Sequence, residues 1–141
     1  MRPQRGFTFV TFLLLLGLGA GIFWVVTYGD AYWENYEVKS ILGQAANLAY
    51  QEPSDKRVHE FIYRKLHERF DVDVQQPGGR TTKELLLDAP EENLRIERTK
   101  SPARIDIWFT YSRDVRQPLT GYIRTVTFNH HADQDLSPTK W

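Results

Sequence analysis

The chain has 141 residues, no cysteine, and 18 basic side chains against 18 acidic ones. Arg2 and Arg5 precede a long apolar run, so the remainder of the chain is slightly acidic, which excludes the concentrated basic surface that nucleic-acid binding needs. The length left beyond that run suits one small core, and without cysteine the fold owes nothing to disulfides.

Residues 1–5 form a short basic leader. Gly6 through Gly29 then carries no charged side chain. As a helix this stretch would be about 36 Å long, against a hydrocarbon core of about 30 Å. Backbone polar groups in lipid must be satisfied internally, so residues 6–29 are predicted to be one transmembrane helix. Arg2 and Arg5 lie before it and Asp30, Glu34 and Glu37 after it, which keeps the N-terminus in the cytoplasm. Trp24, Tyr28, Tyr32, Trp33 and Tyr36 gather at the exit end, where amphipathic rings settle at a membrane–water boundary. The lipid bilayer is therefore the first expected partner. A cleaved secretion signal is the alternative, with Gly19 and Gly21 as small residues two apart. Cutting there would leave Ile22-Phe23-Trp24-Val25-Val26 as an exposed apolar start. Gly17 and Gly21 also make a small-xxx-small pair, a candidate helix–helix contact for a homo-oligomer, although glycine is common in membrane helices anyway.

Beyond Asp30 the apolar pattern narrows to Trp33, Val38, Ile41, Leu42, Ala45, Leu48 and Ala49, with Glu34, Lys39 and Gln44 elsewhere. No proline interrupts it, so one long helix is expected, lipid-facing first and amphipathic afterwards, ending near Gln51-Glu52-Pro53. A second helix starts from Ser54 as N-cap, with Asp55 in its first turn and Val58, Phe61, Ile62, Leu66 and Phe70 on one face. Both stripes need a cover, and a sheet supplies it. The segment from Asp71 opens as a strand and meets a turn at Pro77-Gly78-Gly79; the stretch around Leu85–Leu87 takes no assignment. Leu94 and Ile96 alternate, as do Ile105, Ile107, Phe109 and Tyr111, and Lys100-Ser101-Pro102 suits a hairpin between them. A third strand from about Gly121 to Asn129 places Tyr122, Val126 and Phe128 on one side. The expected class is α+β with a small antiparallel β-meander: an outward domain over residues 30–133 and a disordered tail over residues 134–141. In the same alternation Trp108 points away from the helices, a candidate partner contact.

Chemical motifs are sparse. Asp71 and Asp73 open like a calcium loop, but Gln76 and Thr82 stand where its glycine and final glutamate belong. The glycines before Arg80 lack the strand and Lys-Ser/Thr order of a phosphate loop. His59 and His67 lie eight apart on a helix without a third ligand, and His130 and His131 point to opposite faces of a strand. No nucleophile pattern is present. The expectation is no enzyme and no cofactor or metal.

Two resemblances add to this. The leader ending in Gly6, followed by Phe7-Thr8 and a long apolar helix, resembles a type IV prepilin. It implies cleavage after Gly6, methylation of Phe7, and pilus or secretion components as partners. The fifth residue after that cut is Thr11, where major pilins carry a glutamate that meets a neighbour's terminal amine. Over residues 5–133 the chain also resembles a family of small, uncharacterised single-pass membrane proteins of proteobacteria. That likeness rests on Gly6-Phe7-Thr8, Tyr36-Glu37-Val38-Lys39, Phe70-Asp71-Val72, Leu94-Arg95-Ile96-Glu97-Arg98, Pro118-Leu119 and Phe128-Asn129-His130, in that order. The chain departs from it in the longer segment around Gln75 to Glu92. The likeness implies an anchor in the bacterial inner membrane, a periplasmic domain and envelope proteins as partners. It implies no catalytic residue.

Overall fold

The computed structural model describes residues 8–138. One helix, α1 (Phe9–Leu48), runs unbroken for 40 residues, as the absence of proline predicts. Its second half turns Ala31, Val38, Ile41, Leu42, Ala45 and Ala46 inward. That stripe differs from the expected one at its start. Trp33 is 66% exposed, while Glu34 faces the sheet, because position 34 continues the three- and four-residue spacing through Ala31 and Val38. The helix also stops at Leu48, short of the expected end; turns carry the chain through Gln51 to Glu52.

Helix α2 (Asp55–Phe70) buries Val58, Ile62, Leu66 and Phe70. Ser54 holds the N-cap position with extended backbone but makes no side-chain cap bond. Asp55 in the first turn and His67 and Arg69 in the last complement the helix dipole instead. Phe61 corrects the predicted stripe: it lies at the border of the core, half-buried, with Arg64 and Lys65 over its ring.

The expected strand from Asp71 and the turn at Pro77-Gly78-Gly79 form the first half of a hairpin, whose second strand ends at Leu85, where the stretch without an assignment begins. Strands β1 (Asp71–Gln75) and β2 (Thr81–Leu85) pair antiparallel from Asp71↔Leu85 to Gln75↔Thr81. Gly78 and Gly79 turn between them at φ 109° and 80°, values that side chains with a Cβ rarely adopt. After β2, Leu87 drops into the core and Asp88 exchanges two backbone hydrogen bonds with Ser112, each 2.9 Å. A 3₁₀ turn at Glu91–Asn93 then feeds the main sheet.

That sheet is a meander of β3 (Leu94–Lys100), β4 (Ala103–Arg116) and β5 (Ile123–Asp135), antiparallel in the order β3-β4-β5. Ile105, Ile107, Phe109 and Tyr111 point inward and are essentially inaccessible, as the alternation predicts. They meet α1 and α2, which lie together on that side. Strand β5 starts two residues later and ends six later than expected. Tyr122 lies outside it and is exposed, whereas Val126, Phe128, His130 and Ala132 take the inner face. The expected disordered tail also gives way at its start. Gln134 and Asp135 pair with Ile105 and Arg104, Leu136 donates its N–H to the Ala103 carbonyl at 2.8 Å, and its side chain packs on the core. Gln134 and Asp135 hide this from hydropathy, because backbone pairing at the end of a strand needs no apolar side chain. The last three residues of that tail lie outside the described residues. The fold is α+β.

Candidate functional site

Residues 9–22 of α1 are all exposed. This helix is the one among the described residues long and apolar enough to cross a membrane, and no residue of its most apolar 18-residue window is buried. Gly17 and Gly21 lie one turn apart on this bare segment, and a Cβ added at either would meet nothing within 4 Å. The structure therefore gives them no partner within the chain and leaves the surface there open. Gly6 and Phe7, the candidate processing site, lie outside the described residues.

The domain first meets α1 at the aromatic cluster. Trp24 packs against Tyr28 and Tyr32, with ring centroids 5.8 and 5.4 Å apart. Tyr32 meets Phe128 of β5 edge-on at 5.8 Å. A shallow cleft there is lined by Trp24, Tyr28 and Tyr32 from the helix and by Arg124 to Thr127 from β5. Contact with the sheet thus reaches back into the stretch predicted to be purely lipid-facing, and Thr27 is buried, its hydroxyl donating to the Phe23 carbonyl at 2.7 Å.

One turn further on lies a polar cluster. Glu34 Oε2 stands 2.9 Å from Arg113 Nη1, with the two side chains 14% and 17% exposed. Burial raises the Glu34 carboxyl above the usual carboxylate value; Arg113 opposes this, and Asp30 and Glu37 add to it. The Tyr111 hydroxyl donates to Asn35 Oδ1 at 3.3 Å, and burial lifts that phenol far above its ordinary range. His130 stacks on Tyr111 with centroids 5.9 Å apart, and burial, reinforced by Lys39, lowers its pKa. Its Nε2, Arg113 Nε and Glu34 Oε2 are all buried without a well-directed hydrogen bond. Sequence inspection missed this cluster, though a signal was present. Arg113 is the one charge on the inward parity of β4, and Glu34 is the only acid on the inward stripe of α1. Opposite charges at two core-facing positions mark an ion pair.

Trp108 keeps its outward parity but is not a bare ring. It stacks on His131 at 4.9 Å and 7°, and the Arg95 guanidinium lies 5.0 Å from its centroid on the neighbouring strand. Register produces this layer, since Arg95, Trp108 and His131 are directly paired across three strands. His131 also bonds Asp106 at 2.8 Å. Around it the outer face is a polar ladder, Thr110 to Asn129 at 2.7 Å and Ser112 with Thr127 at 2.9 Å. The remaining histidines are also engaged: His59 packs tilted against Tyr63, and His67 bonds Asp71 at 2.7 Å. Among the described residues no three His, Asp or Glu side chains converge as metal ligands.

Compared with known protein families, curated proteins and solved structures, the chain matches none.

Proposed function

We propose that the chain is a single-pass, membrane-anchored protein of a bacterial envelope whose outward domain acts by binding other proteins. The observation that carries this reading is α1: a bare apolar half continues without a break into a half that forms one wall of the core. A domain built onto its own anchor in this way moves with that anchor. Arg2 and Arg5 before the span and Asp30, Glu34 and Glu37 after it support an orientation with the domain outside the cytoplasm. Strand β5 supports the binding role. Its 13 residues form one edge of the sheet, and long edges are templates for strand addition by a partner.

A second reading, a minor pilin-like or pseudopilin-like subunit, is favoured by the same bare half-helix, which copies of the chain would cover in a filament, together with the Gly6-Phe7 start. The mass of the N-terminal peptide from purified membranes separates the two. An intact Met1 or Arg2 start supports the plain anchor, a methylated Phe7 start supports the filament subunit, and a start near Ile22 overturns both. Because the chain has no cysteine, Ser101→Cys gives a single thiol for orientation. Labelling of it by a membrane-impermeant maleimide from the outer side is expected; protection until the cytoplasm is opened would reverse the topology.

A further inference from the structure

Strand β5 runs beside α1 in the same direction. Asn35, Lys39 and Leu42 lie against Asn129 to Ala132, Tyr32 against Phe128, and Trp24 to Tyr32 against Arg124 to Thr127. Four strand residues from Phe128 back to Arg124 cover about 13 Å, enough to carry β5 from Tyr32 along the aromatic cluster. Following β5 backwards therefore moves toward the apolar half of α1, and the β4–β5 turn continues beyond Arg124 in that direction.

That turn is ordered and apolar at its tip. Gln117 N–H donates to the Tyr122 carbonyl at 2.8 Å and Gly121 N–H to the Gln117 carbonyl at 2.9 Å, with Gly121 at φ 68° closing the loop. Leu119, Tyr122 and Ile123 are 83%, 64% and 53% exposed, a cluster unlike the polar outer face of the same sheet. Arg116 and Arg124 flank it, and no acidic residue lies between them. An apolar tip with an amphipathic ring and a collar of guanidinium groups matches the order of layers in a leaflet: acyl chains, interface, phosphates.

We propose that the β4–β5 turn is a second membrane contact, with Leu119, Tyr122 and Ile123 inserted into the outer leaflet beside the span and Arg116 and Arg124 on lipid phosphates. This rests on α1 being the span, which fixes where the bilayer lies. The occupant is lipid, because the tip continues beyond Arg124 on the side of the apolar half of α1, toward the layer that the span assigns to the membrane. The domain then stands on two supports, a helix through the bilayer and a hairpin resting in one leaflet.

The test uses the full chain in vesicles containing anionic lipid, with an environment-sensitive fluorophore on a single introduced cysteine. Three positions are compared: Leu119→Cys at the tip, Leu16→Cys within the span, and Lys100→Cys at the opposite end of the sheet. Loss of emission from positions 119 and 16 on adding nitroxide-bearing lipids, with position 100 unaffected, is the expected result. Quenching at 16 without quenching at 119 overturns the hairpin contact and leaves the anchor standing. A blue-shifted but unquenched label at 119 overturns it too, since a protein rather than lipid then covers the tip. Absence of quenching at both 16 and 119 overturns the anchor and the hairpin contact together. In a background where 119 is quenched, replacing Arg116 and Arg124 by Gln is expected to reduce that quenching; unchanged quenching would remove the phosphate contacts from the proposal.

Discussion

Neighbouring residues on α2 show how burial sets the energetic scale. Ile62 is fully enclosed, whereas Phe61 sits at the core's border under two cations. Ile62→Ala is expected to cost about 2–5 kcal/mol, the range for an enclosed aliphatic side chain, and Phe61→Ala about 1–2 kcal/mol because part of the ring stays wet. Denaturant unfolding of both variants checks the order, and a larger loss at Phe61 would reverse the helix face. His130 carries a pH dependence. Its folded-state pKa lies below the ordinary 6.5, so the folded protein keeps it neutral while the unfolded chain takes up a proton. Its contribution is complete above about pH 6.5 and is lost as pH falls through that value toward the lower folded pKa. Glu34 acts in the opposite sense: with its folded pKa raised, stability falls as pH rises above the ordinary carboxylate value. Comparing thermal unfolding of the wild type and His130→Gln from about pH 7.5 to about pH 5.5 isolates the histidine, and the variant is expected to lose less stability over that interval.

At the level of elements, the connection between the helices depends on one arginine from the sheet. Arg98 Nη2 donates to the Glu52 carbonyl at 2.7 Å and Nη1 to the Ala49 carbonyl at 3.4 Å, while Nε pairs with Asp55. One guanidinium thus satisfies carbonyls beyond the end of α1 and the acid that begins α2. Arg98→Met keeps the stem and removes the donors, and is expected to cost about 1–3 kcal/mol in chemical unfolding. Trp108→Ala is expected to cost about 1–2 kcal/mol, since it removes the stack on His131 and the Arg95 contact. An unaltered melting temperature would show that the ring is free of its neighbours and available to a partner. Helices and meander were legible because their apolar periods, 3.6 and 2, are dictated by a buried face; Ile105 to Tyr111 could be placed by parity alone. The β1–β2 hairpin was only half legible, because β2 reads Thr81-Thr82-Lys83-Glu84-Leu85 and rests on backbone pairing with little burial. The ion pair of Glu34 with Arg113 and the cover over Trp108 depend on which strand residues come opposite one another. That is a property of register, which residue types on separate elements leave open.

For the molecule as a whole, the apolar first part of α1 presents an open surface on which copies of the chain could associate. If Gly17 and Gly21 form a contact between copies, Gly17→Ile with Gly21→Ile is expected to abolish self-association of the isolated span in a membrane reporter assay. An unchanged reporter output would mean that the glycines are merely tolerated there. The unbroken run of α1 has a mechanical consequence. At 40 residues the helix is about 60 Å long with no proline between its halves, so with its apolar half in a bilayer, as proposed above, it would act as a lever pivoting near the bilayer surface. The outer arm, from Thr27 to Leu48, is about 33 Å long, so tilting the span by about 10° to match a thinner bilayer sweeps its far end through about 6 Å. The core is built on that arm and has to travel with it. On the proposed anchored reading, bilayer thickness would be converted into displacement at the top of the domain, and the helix would act as a gauge of the membrane that holds it.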